Sequence, residues 1–130
     1  MPSGNFGNIY SAYLLKSMGF PINKLIVATN ENNILHRIIS NNDLHLYNVV
    51  KTNSPSMDIT LSSNFERLLA EFLGPESTKE LFKNISNNEH NKKLDSSIHS
   101  LLSENFLSEN ATSKKLKIKL KTPMKITIFY

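Results

Sequence analysis

Cysteine is absent from the 130 residues, which removes both a disulfide framework and thiolate chemistry. No run of apolar residues approaches the length that crosses a bilayer. A charged-then-apolar leader is missing too, so no secretion signal is expected. The four histidines, His36, His45, His90 and His99, lack the spacing of metal ligands and read as surface or helix residues. Serines are plentiful, yet none stands in a nucleophile-elbow context. Asp58, Glu66 and Arg67 are too scattered to argue a general acid–base pair. The lysines of the first 110 residues have no apolar setting that would lower a pKa for covalent work. What remains is enough chain for one domain with a real core, expected to be a soluble cytoplasmic protein.

Acidic residues are also absent from Ala111 onward, where six lysines fall: Lys114, Lys115, Lys117, Lys119, Lys121 and Lys125. Residues 1–110 carry nine basic and eleven acidic groups, so the formal charge of +4 belongs wholly to the tail. A lysine run touches phosphates without reading bases. It offers no arginine and little aromatic interleaving, so a solvated tail is the expected role and no nucleic-acid partner is implied. Lys115 to Lys121 alternates strictly and suits a strand at an exposed edge, where lysine blunts unwanted pairing. Ile126 to Tyr130 is apolar, and the sequence provides no function for it.

The most informative stretch is Pro2-Ser3-Gly4-Asn5-Phe6-Gly7-Asn8. Ile9, Ala12, Tyr13 and Leu15 follow at helical spacing, and Gly19 and Pro21 stop the run. First-turn N–H groups have no intrahelical partner and mark the positive end of the helix dipole. A glycine turn lets backbone approach an anion closely. The residues support two readings: turn glycines at an ordinary helix start, or a phosphate cradle of backbone amides. A phosphate loop normally follows a strand that aims it, whereas only Met1 precedes this one. The loop is then either a flexible start, or the chain begins in the middle of a fold.

Downstream, Lys24 to Thr29 reads as a buried strand of a parallel sheet. Asn32 or Asn33 is placed to cap a helix with Ile34, Leu35, Ile38 and Ile39 on one face. Leu44 to Val50 reads as a short strand or loop, and Met57 to Leu61 as a second short strand. Ser62 or Ser63 caps the clearest helix, with Phe65, Leu68, Leu69 and Phe72 on its face and Gly74-Pro75 at its end. Ser77 to Glu80 matches a capping box for the next helix. Leu94, Ile98, Leu101 and Leu102 suit one more helix, after which Ser103-Glu104-Asn105 is echoed by Ser108-Glu109-Asn110. Helix, strand, helix in this order predicts an α/β sheet, with ligands at the carboxyl ends of its strands. The Thr29-Asn30-Glu31-Asn32 turn lies at such an end.

Taken together, Pro2 to Asn8, Lys24 to Asn32, Ser54 to Ile59 and Ser62 to Leu69 strongly resemble threonine synthase, over roughly residues 2–83 and fading after Asn84. The resemblance implies part of a fold type II domain that binds pyridoxal 5'-phosphate, in a lyase that converts O-phosphohomoserine and water into threonine and phosphate. It assigns the cofactor phosphate to Gly4, Asn5, Phe6, Gly7 and Asn8, and sets Thr29, Asn30 and Asn32 at the strand end facing cofactor and substrate, with Ser54 to Asp58 nearby. Ser3 stands where the family commonly has threonine, and Asn33 where it has aspartate. The family's cofactor-linked lysine lies in a Ser-Phe-Lys-Asp segment upstream of the glycine loop, and no such segment occurs in these 130 residues. The expected organisation is therefore a partial cofactor-binding domain over 1–85, with an incomplete sheet, followed by a helical segment and an irregular lysine-rich tail over 86–130. No catalytic residue and no metal site is assigned. Three functional readings follow: a threonine synthase-like fragment inactive alone, one half of a split enzyme whose separate partner chain carries the lysine, or a non-catalytic phosphate-binding module.

Overall fold

The computed structural model describes residues 4–87 and 93–110. Five α-helices, one short 3₁₀ turn and two strands are present among them. The order is α1 (Gly7–Ser17), β1 (Leu25–Thr29), α2 (Ile34–Asn41), the 3₁₀ turn Pro55–Met57, α3 (Ser63–Leu73), α4 (Pro75–Ser86), α5 (Ser96–Asn105) and β2 (Phe106–Asn110). The strands pair in parallel, with Leu25 opposite Phe106 and Thr29 opposite Asn110. The described residues of the long crossover between them form four α-helices and the 3₁₀ turn, as parallel pairing demands a connection that returns to the same end of the sheet.

Helix α1 packs on β1 and α3, α2 lies against both strands, and α5 rests on α2 and β2. One apolar core joins them. Leu25 and Val27 of β1, Ile9 and Ala12 of α1, Leu35 and Ile38 of α2, and Phe65, Leu68 and Leu69 of α3 are all buried there. Leu94, Ile98, Leu102 and Phe106 belong to the same core, so the segment from Leu94 to Phe106 is packed with the first 85 residues. Phe6 sits at an aromatic junction, edge-on to Phe65 with centroids 5.4 Å apart and tilted against Phe106 at 5.6 Å. Edge-to-face rings add to the area that they bury.

Several elements differ from the sequence reading. Strand β1 is buried on one face only: Leu25, Val27 and Thr29 are buried, while Ala28 is exposed. Met57 to Leu61 makes no strand. The chain turns at Ser54 to Asp58, where the Met57 N–H donates to the Ser54 carbonyl and Asp58 is tied back to Thr52. Leu44 to Val50 is irregular, and its end is held by a side chain rather than a strand: Asn32 donates to the Val50 carbonyl at 2.8 Å and accepts from its N–H at 2.9 Å. Asn33 is the N-cap of α2 without capping it by side chain, since its Oδ1 accepts from the Arg37 Nε instead. Helix α4 begins at Pro75 rather than at a Ser77 capping box. Proline suits the first helical position, where its missing N–H has no partner to lose.

The echo at Ser108-Glu109-Asn110 conceals β2, because only Phe106 of that strand is buried. Polar side chains here gave no strand signal; the pairing comes from β1. The alternating lysine stretch and the apolar end at Ile126 to Tyr130 lie outside the described residues. Among the described residues no helix is long and apolar enough to cross a membrane.

Candidate functional site

The glycine loop is built on the N-terminus of α1. Phe6 precedes the helix in the left-handed region, at φ 59°. Burial of its ring in the aromatic junction holds a non-glycine residue in this costly conformation. The Phe6 carbonyl accepts the first helical bond, from the Tyr10 N–H at 2.9 Å. The N–H groups of Gly7, Asn8 and Ile9 therefore have no intrahelical partner. No side chain caps α1 and no acidic residue stands in its first turn. Three amides without an intrahelical partner, at the positive end of a helix, suit a phosphate in charge and hydrogen-bonding sense.

Two other segments hold this loop. Gly4 lies on the Ser54–Asp58 turn so closely that a Cβ there would meet the Ser56 carbonyl oxygen and the Met57 Cα. Its glycine character is thus required by packing against backbone. Gly7 differs: a Cβ would reach only the Asn64 Nδ2, at 3.4 Å. On the other side the loop is stapled to α3. The Asn5 Oδ1 accepts from the Ser63 N–H at 3.0 Å and from its hydroxyl at 3.2 Å, and the Asn5 carbonyl accepts from the Asn64 Nδ2 at 2.9 Å. The Asn64 Oδ1 accepts in turn from Arg67 at 3.2 Å.

A narrow cleft joins the loop to the carboxyl end of β1. Gly4, Thr29, Asn30, Asn32, Met57 and Ser62 all line it. The structure therefore brings together the glycine loop and the strand-end turn, two stretches that the sequence analysis placed side by side. A second cavity of about 160 Å³ shares Asn32, Ile34 and Ile59 with the cleft and extends to Arg37 and Tyr47.

The strand-end side chains are engaged in structure. Asp58 is their hub, accepting from Asn30 at 3.2 Å, from Asn32 at 2.8 Å, and from both the N–H and the hydroxyl of Thr52 at 2.8 Å. The Thr52 N–H foremost holds the Asp58 carboxyl below the usual carboxylate range; partial desolvation opposes it, and Thr52, Asn30 and Asn32 side chains add to the lowering. The Asn30 Oδ1 accepts from the Asn32 N–H at 2.9 Å, closing a local turn. Thr29 is buried and its hydroxyl donates to the Glu109 carbonyl of β2 at 3.4 Å.

Of the residues assigned to cofactor and strand end, Gly4, Thr29, Asn30 and Asn32 thus share the cleft. Asn5 supports the loop from the side of α3. Asn8 is exposed in the first turn of α1, and Phe6 directs its ring into the core so that only its backbone faces the loop. Thr52 and Asn64 escaped the sequence analysis as site residues. Asn64 stands in the sequence only as one residue of the Ser62 to Leu69 resemblance, and Thr52 lies between Leu44 to Val50 and Met57 to Leu61, the two stretches read as short strands or loop. Two of the histidines hold elements together: His36 bonds Ser108 at 3.0 Å, and His99 bonds the Ile39 carbonyl at 2.9 Å. Among the described residues no cluster of three histidine or acidic groups could hold a metal ion.

These elements have counterparts in known proteins. No family model matches the chain. Threonine synthase of Pseudomonas aeruginosa is 53% identical over 74 residues, covering 57% of this chain and 16% of that protein. The crystal structure of PLP-bound threonine synthase from Brucella melitensis superposes with a TM-score of 0.77 at 38% identity, over 85% of this chain and 24% of that one. The chain is homologous to a segment of threonine synthase. Human threonine synthase-like 1 is 38% identical over 114 residues, which cover 84% of this chain and 15% of that protein. Threonine synthase likeness therefore continues well past Asn84, where the sequence motifs fade. The matched segment spans about a sixth of the length of the curated relatives. The two-stranded parallel sheet with its helices is accordingly part of the threonine synthase fold.

Proposed function

We propose that the chain is the phosphate-binding part of a threonine synthase-type enzyme, in which the N-terminus of α1 holds the phosphate of pyridoxal 5'-phosphate. The observation that carries this reading is the first turn of α1, which no side chain caps and which holds no acidic residue, in the loop that Gly4 brings to the cleft at the carboxyl end of β1. Likeness to a PLP-bound threonine synthase at 38% identity supports the choice of ligand. Backbone N–H groups of Gly7, Asn8 and Ile9 would take the phosphate oxygens, and Asn5 would hold the loop in place. Thr29, Asn30 and Asn32 form the wall beside it, and through Asp58 the two asparagines keep the 50–58 segment against the strand end.

When bound, the cofactor supplies an electron sink for chemistry on an amino-acid substrate. For a threonine synthase that substrate is O-phosphohomoserine, converted with water to threonine and phosphate. These 130 residues contain no Ser-Phe-Lys-Asp segment. The lysine for the reaction therefore comes from polypeptide outside them, continuous with this sequence or on a separate chain, and the segment alone is inactive. Exposed apolar side chains on and after α1, namely Leu14, Leu15, Met18 and Phe20, are consistent with a surface that such polypeptide covers.

Calorimetric titration of the chain with pyridoxal 5'-phosphate and with pyridoxal tests the reading. Binding that requires the phosphate supports it, and equal binding of the two compounds refutes it.

A further inference from the structure

The Ser62-Ser63-Asn64 run carries the likeness to threonine synthase, yet only Ser62 is needed to cap α3. Its Oγ accepts from the Phe65 N–H at 3.2 Å. Asn64 points instead toward the neighbouring helix. Its Nδ2 donates to the Asn5 carbonyl at 2.9 Å, and its Oδ1 accepts from the Arg67 guanidinium at 3.2 Å. A carbonyl only accepts and a guanidinium only donates, so the two partners determine which way the amide faces. The same Nδ2 lies 3.4 Å from where a Cβ on Gly7 would stand. Asn64 therefore lies against both the residue before the left-handed Phe6 and the first residue of α1.

We propose that Asn64 is a positioning residue for the phosphate site: its amide, oriented by Arg67, holds the Asn5 carbonyl and so fixes the turn from which the free N–H groups of α1 start. This rests on the reading of α1 as a phosphate site. Free amides bind an anion well only when their directions are set before it arrives. Among the described residues no bond within the loop sets the Asn5 peptide, and the first helical bond begins one residue later, at the Phe6 carbonyl. Asn64 supplies that restraint from another helix. Its own place in the first turn of α3 does not need an asparagine, since Ser62 provides the cap.

The test compares the chain with its Asn64→Ala and Asn64→Asp variants, each titrated calorimetrically with pyridoxal 5'-phosphate and with pyridoxal. Alanine removes both bonds and is a better helix former. Aspartate keeps the shape and the bond from Arg67 but cannot donate to the Asn5 carbonyl. Its charge also favours the N-terminus of α3. Folding of α3 is thus preserved or improved in both, which a thermal melt verifies. The ratio of the two affinities cancels any loss of folded protein. The expected result is a ratio reduced roughly fivefold or more in both variants, as for a lost hydrogen bond. A ratio unchanged in Asn64→Ala overturns the positioning role while leaving the phosphate site intact. A wild-type chain with no preference for the phosphorylated compound overturns the phosphate site and the positioning role together.

Discussion

Helices α1 and α3 pack against one another and start close together, yet their N-termini are finished in opposite ways. That of α3 is closed. Ser62 caps it, Asn5 accepts from the Ser63 N–H, and Glu66 stands in the first turn. That of α1 is left open: no side chain caps it, no acid stands in its first turn, and a strained Phe6 leads into it. Both helices face the same requirement, that N–H groups left over at a helix start find partners. Where the protein fills that requirement from within, the helix is structural. Where it does not, the helix start is available to a ligand. The Asn5 side chain makes the contrast sharper, since the loop that leaves α1 open uses its own amide to close α3.

Gly4→Ala is expected to have the largest effect on this arrangement. The new Cβ meets the Ser56 and Met57 backbone, which cannot rotate aside, so a loss of about 1–3 kcal/mol is expected from chemical denaturation. Because the cause is packing, the loss should be as large without pyridoxal phosphate as with it. Ser62→Ala comes next. Removing the cap of α3 should cost about 1 kcal/mol in the same measurement. Asn8→Asp should do the reverse at α1. An acid in an empty first turn stabilises the unliganded chain by roughly 0.3–1 kcal/mol while weakening binding of pyridoxal phosphate. A gain in both stability and binding would contradict the open-terminus reading.

The smallest effect is confined to acid. Asp58 titrates lower in the folded chain than when unfolded. Its contribution is therefore fully present above the unfolded value, about 3.9, and is lost as the pH falls from there through the folded pKa. A pH series of denaturation midpoints should decline less steeply in that range for Asp58→Asn than for the parent chain. No difference between them would remove Asp58 from its role in holding the strand-end turn.

The local half of this site was legible in the residues. Gly4 to Asn8 before an apolar helical run allows either an ordinary helix start or an anion site, and Ser62 or Ser63 before Phe65 indicates a capped helix. Both depend on interactions within a few residues. The motifs beyond them were recognisable without their contacts. Met57 to Leu61 reads as a strand until Asp58 is seen gathering Thr52, Asn30 and Asn32. Asn64 reads as one residue of the Ser62 to Leu69 resemblance until its amide is seen on Asn5. Phe106 to Asn110 shows no strand pattern because its pairing partner lies about 80 residues away and only one of its side chains is buried.

By itself the sequence determined which segments are helical, where β1 lies, and that a helix starts at the glycine loop, since spacing, caps and turn residues act over short range. Tertiary structure decided the rest. It settled that Gly4 is needed for close backbone contact, that the strand-end asparagines are bound to Asp58, and that β2 joins β1. Each of these depends on groups distant in the chain meeting at one place, and a one-dimensional pattern of residues does not contain that meeting.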